Sequence, residues 1–191
     1  MKLTDILNSA FAEIEHKYKP KFNLYTVYSD PQAKAFGTLT EAEVDSTKNK
    51  LFIMVGLPGS GKSSTIEKLP GNPVICSADY FFEKSGEYKF DASKLHQAHT
   101  ECKNKATKAM ANQMPAVIID NTNLTDKERA PYEDLAEKFN YEIIYVVFEP
   151  DKQDIKKLAR RNLHGVDAAK LEIMAKRFRP PSGTKGRIIY K

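Results

Sequence analysis

A glycine-rich segment at residues 56–63, GLPGSGKS, carries the clearest chemical signal in the sequence. It fits the pattern G-x-x-x-x-G-K-[ST], in which the backbone N–H groups of a tight loop surround a phosphate chain. Lys62 would neutralise phosphate oxygens, and the Ser63 hydroxyl would coordinate Mg²⁺. A helix-forming stretch follows, so the positive end of a helix would point at the same anion. The residues expected to bind the phosphates are Gly56, Pro58, Gly59, Ser60, Gly61, Lys62, Ser63 and Ser64.

A second chemical group follows the next apolar run, where Asp79 ends the string CSAD at 76–79. The carboxyl ends of parallel strands share one edge of a sheet, so this carboxylate would lie near the phosphate loop. A carboxylate in that place could orient and deprotonate an incoming hydroxyl group. A turn or helix-cap role is the alternative interpretation of Asp79.

Short polar residues also follow the third apolar run, in the string DNTNL at 120–124. Asp120 suits a hydrogen bond to a water molecule on Mg²⁺, which would place it in the metal site with Ser63. Three further residues at this edge are candidates for contacts with the acceptor: Asn121, Thr122 and Asn123. Turn and cap roles before a helix at Thr125 are the alternative, and both uses are compatible.

Two adjacent arginines, Arg160 and Arg161, end a predicted helix just before Gly165. Two helices joined by a short turn make a mobile lid. An arginine carried by a lid would cancel charge on a phosphoryl group during its transfer, an effect of about 10³ to 10⁵ in rate. Exposed arginines near a helix C-terminus are also common, and that is the alternative interpretation.

The elements that must position these residues alternate between short apolar runs and longer helical stretches. Four buried strands are predicted at 51–55, 73–77, 115–120 and 141–148, and RIIY at 187–190 is a candidate fifth strand. Helices are predicted from Asp91 to about Asn112, from Thr125 to near Asn140, and at about 152–163 and 168–178. This alternation predicts an α/β fold, with a parallel sheet and helices on both faces.

We predict two regions in the chain. Residues 51–191 would form the catalytic domain, with the lid at about 152–178 and a basic C-terminal tail. Residues 1–50 would contain an amphipathic helix at 3–18, which could dock on an unidentified protein partner, and an extended connection at 20–50. Formal charges sum to 0 in 1–50, −3 in 51–150 and +8 in 151–191. A polyanion would therefore be drawn to the C-terminal end, although added solubility alone is the alternative.

The composition is typical of an intracellular protein. The two cysteines, Cys76 and Cys102, form no C-x-x-C pair, which argues against a disulfide framework or a structural zinc site. The longest apolar run, at 51–55, is far shorter than the ~20 residues that cross a bilayer, and acidic residues near the start argue against a signal peptide. We therefore expect a cytoplasmic or nuclear location and no membrane partner.

Other classes of nucleotide-dependent protein lack their motifs here. GTPase switches need N-K-x-D, whereas the nearest string is NKAT at 104–107, and the transporter signature LSGGQ is absent. The chain is also too short for a ring-forming ATPase module with its second domain. Of these classes of nucleotide-dependent protein, a phosphotransferase is the one that the motifs leave open.

Taken in order, these motifs resemble the P-loop 5′-hydroxyl polynucleotide kinases over about 51–180. The likeness is greatest to small vertebrate members related to the kinase domain of a ubiquitin-ligase-binding protein, through SADYFFEKSGEYKFD, VIIDNTNL and LARRNLHGV. The resemblance implies the P-loop kinase fold with strand order 2-3-1-4. It also implies Mg²⁺-dependent transfer of the γ-phosphate of ATP, GTP or another NTP to the 5′-OH of RNA or DNA. The implied catalytic residues are Lys62, Asp79 and Arg161, with Arg160 as a second lid arginine.

Two departures from the family pattern bear on the site. The acid that follows the third strand in the phage member aligns with Asn121, one place after Asp120. Either residue could therefore be the one that assists in binding the metal ion. The phage member also has an arginine shortly after its general base, where this chain has Phe81 and Phe82. An exposed aromatic ring, Tyr80 or Phe82, could instead stack on a base of the acceptor.

The sequence thus predicts a polynucleotide 5′-hydroxyl kinase. One alternative is a small-molecule kinase acting on a nucleoside, sugar or antibiotic hydroxyl, which would need a closed acceptor pocket. The other is a nucleotide-dependent module that binds nucleic acid with little catalysis.

Overall fold

The computed structural model describes residues 48–67, 72–83, 88–150, 153–162 and 164–191. The predicted helix at 3–18 and most of the predicted connection lie outside the described residues. Among the helices that are described, none is long and apolar enough to cross a membrane.

Five parallel strands from residues 48–191, apart from the gaps just given, form one sheet in the order β2-β3-β1-β4-β5. Their bounds are Lys50–Val55 (β1), Val74–Cys76 (β2), Ala116–Ile119 (β3), Glu142–Val147 (β4) and Arg187–Tyr190 (β5). The predicted order of the first four strands is confirmed, and the RIIY segment is the fifth strand beside β4. Every residue of β1 is buried, as expected for the central strand of a sheet covered on both faces.

In the described part of the chain, five α-helices pack around the sheet. Their bounds are Lys62–Ile66 (α1), Leu95–Ala111 (α2), Asp126–Phe139 (α3), Ile155–Arg161 (α4) and Ala168–Arg177 (α5). The predicted start of α3 is confirmed, because the Thr125 side chain accepts a hydrogen bond from the Glu128 N–H. Asp91 caps a short 3₁₀ turn at Ala92–Lys94, and α2 begins directly after it.

Among the described residues, three apolar clusters hold these elements together. Leu51, Ile53 and Val55 of β1 face a cluster built with α2 and α3, whereas Phe52 and Met54 face the opposite cluster, which includes Ile66 of α1. The third cluster fixes the α4–α5 hairpin to the loops that follow β1 and β3. Its buried members are Leu57, Leu124, Leu158 and Leu171.

The basic C-terminal segment is integrated into this fold. Lys185 Nζ lies 2.6 Å from Glu133 of α3, and Arg177 lies 2.7 Å from Glu128. Arg187 lies 3.7 Å from Glu142, at the amino edge of the sheet, opposite the phosphate loop. Three of the basic residues at this end are therefore paired with acids elsewhere in the domain.

Candidate active site

The phosphate loop leaves β1 at the carboxyl edge of the sheet and leads into α1. Gly59 and Gly61 have positive φ angles of 76° and 101°, a conformation that side chains with a Cβ rarely adopt. A Cβ on Gly59 would lie only 2.6 Å from the Leu158 carbonyl oxygen of α4. The Gly56 N–H donates to the Thr122 carbonyl oxygen at 3.0 Å, which ties the loop to the end of β3. The Ser60 hydroxyl is buried and has no hydrogen-bond partner among the described residues.

Lys62 is buried at the first position of α1. Its ammonium group donates to the carbonyl oxygens of Gly56 at 3.1 Å and Leu57 at 2.9 Å. Burial lowers the pKa of Lys62 to about 8, and the carboxylates of Asp120 and Asp79 partly oppose that effect. Both acids are therefore close enough to act electrostatically on this lysine.

The low pKa of Lys62 predicts a pH-dependent affinity for nucleotide. A bound triphosphate favours the ammonium form and raises the pKa, so binding above pH 8 must take up a proton. The dissociation constant should rise by up to about tenfold per pH unit above pH 8, and this lysine should contribute no dependence below pH 7. Calorimetry in buffers of different ionisation enthalpy measures the proton uptake. As a control, Lys108→Gln, which removes an exposed lysine of α2, should leave the proton uptake unchanged. An affinity that does not change between pH 8 and pH 9 would contradict the prediction.

Ser63 and Asp120 form the oxygen-rich part of the site. The Ser63 hydroxyl donates to Asp120 Oδ2 at 2.9 Å. Burial raises the pKa of Asp120, while Lys62 and the hydrogen bond from Ser63 act in the opposite direction. A hydroxyl and a carboxylate are the hard oxygen ligands that Mg²⁺ prefers, so the two side chains fit that ion.

Asn121 and Asn123, two of the residues expected to contact the acceptor, have hydrogen-bond partners inside the domain. Asn121 Oδ1 accepts from the Ala78 N–H at 2.9 Å, and its amide donates to Cys102 and Tyr132. Asn123 is buried and donates to the Met54 carbonyl oxygen at 2.7 Å. These amides hold together the ends of β1, β2 and β3. Asp120, and not Asn121, lies beside Ser63.

Asp79 lies at the start of a 3₁₀ turn, Asp79–Phe81, that follows β2. Because β2, β3 and β1 are parallel, Asp79 lies at the edge of the sheet from which the phosphate loop leaves β1. Its charge also contributes to the pKa of both Lys62 and Asp120. The Tyr88 hydroxyl donates to Asp79 Oδ1 at 3.4 Å, and His164 Nε2 lies 3.6 Å from Oδ2. Sequence reasoning missed both partners.

The aromatic residues after Asp79 separate into exposed and buried rings. Tyr80 is 42% exposed, and Lys105 Nζ lies 5.0 Å from the centre of its ring. Phe82, predicted to be available for stacking, is buried in the core, because its ring packs against Phe81 and Phe90. Phe90 is exposed and was not predicted.

Arg160 and Arg161 are the last two residues of α4, and both are exposed. Within the described part of the chain, neither guanidinium forms an ion pair. Backbone hydrogen bonds lower the pKa of Asp154, and the charge of Arg160 contributes to that shift. Because His164 is only three residues after Arg161 and contacts Asp79, the turn between α4 and α5 borders the site.

Comparison with known proteins gives matches across this domain. A family model described as an AAA domain matches residues 51–181. NEDD4-binding protein 2 from Homo sapiens is 40% identical over 134 residues, which cover 67% of this chain and 8% of that protein. This chain therefore corresponds to a small part of that relative.

Among solved structures, a candidate kinase from Chloroflexus aurantiacus has a TM-score of 0.53 and 19% identity, with 75% of this chain and 85% of that chain covered. The APS kinase CysC of Mycobacterium tuberculosis, solved in complex with AMPPNP and APS, has a TM-score of 0.47 and 13% identity, with 75% and 88% covered. The first of these supports the fold, and the family match covers more than half of the chain. The chain therefore belongs to this AAA-domain family, as a P-loop kinase-like domain related to NEDD4-binding protein 2.

Proposed function

We propose that this domain transfers the γ-phosphate of ATP or GTP to the 5′-hydroxyl of an RNA or DNA end. The observation that carries the proposal is that Asp79 and the phosphate loop follow parallel strands at one edge of the sheet. The effect of the Asp79 charge on the pKa of Lys62 and Asp120 is consistent with that placement. A proton acceptor and a phosphate-binding loop on one sheet edge are the two requirements of transfer to an alcohol.

On the donor side, the backbone N–H groups of residues 56–63 would surround the phosphates of the nucleotide. Lys62 would leave the carbonyl oxygens of Gly56 and Leu57 and pair with phosphate oxygens. These anionic oxygens would compensate the cost of burying the ammonium charge. Ser63 and Asp120 would hold Mg²⁺, and the bound ion would neutralise charge that develops on the phosphate oxygens.

On the acceptor side, Asp79 would accept the proton of the 5′-hydroxyl. The freed oxygen forms a bond to the γ-phosphorus as the bond to the bridging β–γ oxygen breaks, and the nucleoside diphosphate leaves. Arg161 would offset the negative charge on the phosphoryl group during this step, with Arg160 beside it. Both guanidinium groups lack acidic partners in the described ranges, which leaves them available for that role.

A polynucleotide acceptor is supported by the pair formed by Tyr80 and Lys105. An exposed ring beside the general base can stack on a base, and a lysine held over that ring can pair with the adjoining phosphate. Lys105 forms no ion pair within the described residues. This pair, and not the basic C-terminal segment, would attract the acceptor, because Lys185 and Arg187 of that segment form ion pairs with acidic residues.

The test is label transfer from γ-labelled ATP to matched oligonucleotides with 5′-OH or 5′-phosphate ends, in the presence of Mg²⁺. We expect label only on the 5′-OH oligonucleotide, and none with Lys62→Ala. Lys105→Glu should raise KM for the oligonucleotide by about tenfold, equal to ~1.4 kcal/mol. Lys103→Glu makes the same charge change on α2, two residues away, and should have little effect. Label on nucleosides or sugars but not on oligonucleotides would contradict the proposal.

A further inference from the structure

The Asp79 carboxylate is contacted on each oxygen by a different segment of the chain. Oδ1 accepts from the Tyr88 hydroxyl at 3.4 Å, and Oδ2 lies 3.6 Å from His164 Nε2. Tyr88 precedes α2, whereas His164 belongs to the turn between α4 and α5. The side chain of Asp79 is 43% exposed, so without these neighbours little would restrict the plane of its carboxylate.

Tyr88 and His164 also contact each other. Their ring centres are 4.4 Å apart, with the planes inclined by 39°. Such a contact between two planar rings fixes both polar atoms relative to the carboxylate between them. Burial and the proximity of Asp79 raise the pKa of Tyr88 to about 12, so its hydroxyl keeps its proton at neutral pH.

The turn that carries His164 has a defined internal structure. The Asn162 amide donates to the carbonyl oxygens of Ala159 at 2.8 Å and Val166 at 2.9 Å, and its Oδ1 accepts from the Val166 N–H at 2.8 Å. Gly165 has a φ of 66°, which permits the reversal of the chain. His164 is therefore held on a folded turn, and the buried Leu158 and Leu171 attach that turn to the phosphate loop.

We infer that Tyr88 and His164 are positioning residues that orient the Asp79 carboxylate toward the acceptor hydroxyl. The carboxylate would then have its productive orientation only when the α4–α5 turn is packed beside it. The inference rests on the proposed role of Asp79 as proton acceptor. The same turn follows Arg161 by three residues. The position of the turn would therefore determine both the orientation of the base and the distance of Arg161 from the phosphoryl group.

The test compares His164→Ala, His164→Gln and Tyr88→Phe by label transfer from γ-labelled ATP. His164→Ala should lower kcat by about tenfold or more, with nucleotide KM unchanged, because only the orientation of the base is lost. The amide of His164→Gln retains a donor and should restore most of kcat. His99→Ala, an exposed histidine of α2, is the matched control and should leave kcat unchanged.

A double-mutant comparison separates positioning from a general structural role. In an Asp79→Asn background, His164→Ala should cause no further loss, because the group it orients is already inactive. Full kcat in both His164→Ala and Tyr88→Phe, with Asp79→Asn impaired, would overturn this inference and leave the proposed function intact. Full transfer by Asp79→Asn would overturn both.

A spectroscopic measurement tests the contact without any acceptor. The imidazole ¹⁵N resonances of His164 should shift on Asp79→Asn and stay in place on Asp134→Asn, an exposed aspartate of α3. If the resonances shift but no oligonucleotide is labelled, the proposed polynucleotide acceptor is contradicted, whereas the contact between His164 and Asp79 is supported. Resonances that do not respond to Asp79→Asn would overturn the inference.

Discussion

Replacing Asp79 by asparagine should lower kcat for phosphoryl transfer by roughly 10²- to 10⁴-fold, the usual contribution of a general base. Asparagine keeps the size of the side chain and its oxygen toward Tyr88, but it cannot take a proton from the acceptor. Nucleotide affinity at pH 7 should stay nearly constant, because Lys62 remains charged there and the phosphate loop is untouched.

The measurement is single-turnover label transfer at saturating nucleotide, together with nucleotide binding by calorimetry. Asp134→Asn makes the same chemical change at an exposed position of α3 and should transfer label at the wild-type rate. A variant at residue 79 that lost nucleotide binding as well as transfer would instead assign Asp79 to the donor side.

Replacing Arg161 by alanine should lower kcat by about 10³-fold or more, the range found where an arginine stabilises a phosphoryl group in transfer. The reason is that its charge would be needed only as negative charge develops on the phosphoryl oxygens. Nucleotide affinity in the ground state should therefore change much less than kcat.

Arg160→Ala is the matched control, because it removes the same side chain one residue earlier. Arg160 acts on Asp154, so its loss should change kcat by no more than about fivefold. Equal losses in both variants would indicate that the pair acts as one cationic patch. A large loss only in Arg160→Ala would transfer the role to that residue.

The fold was largely predictable because its signals are local. Apolar runs of four to eight residues, separated by helical stretches, are typical of a parallel sheet, and all five predicted strands are present. The strand order came from a family resemblance and not from periodicity. The start of α3 was readable from Thr125 and Glu128, since a capping residue acts within one helical turn.

The partners of Asp79 could not be predicted, because no local pattern relates residue 79 to residues 88 and 164. Their meeting depends on how the α4–α5 hairpin packs on the phosphate loop, which is a tertiary property. The prediction of which rings are exposed was wrong for a similar reason. Phe82 lies in the core and Phe90 faces solvent, although both occur in one aromatic-rich string. Spacing within an irregular segment does not determine which ring faces solvent.

Charge counting was limited in the same way. The excess of basic residues near the C-terminus is a property of composition, whereas the availability of each charge depends on its neighbours. Lys185 is paired with Glu133, and Arg187 with Glu142, on elements distant in sequence. Lys105, in a region of net negative charge, is the cation that lies over Tyr80.

The approach of Gly59 to the Leu158 carbonyl oxygen has a consequence for protein engineering. With only 2.6 Å available to a Cβ, the main chain of α4 closes over a loop position that must remain glycine. A chimera that exchanges α4 and α5 for those of a relative would have to preserve the path of the backbone at residue 158. The phosphate loop and α4 are therefore one structural unit, and an exchange of α4 would have to include the loop.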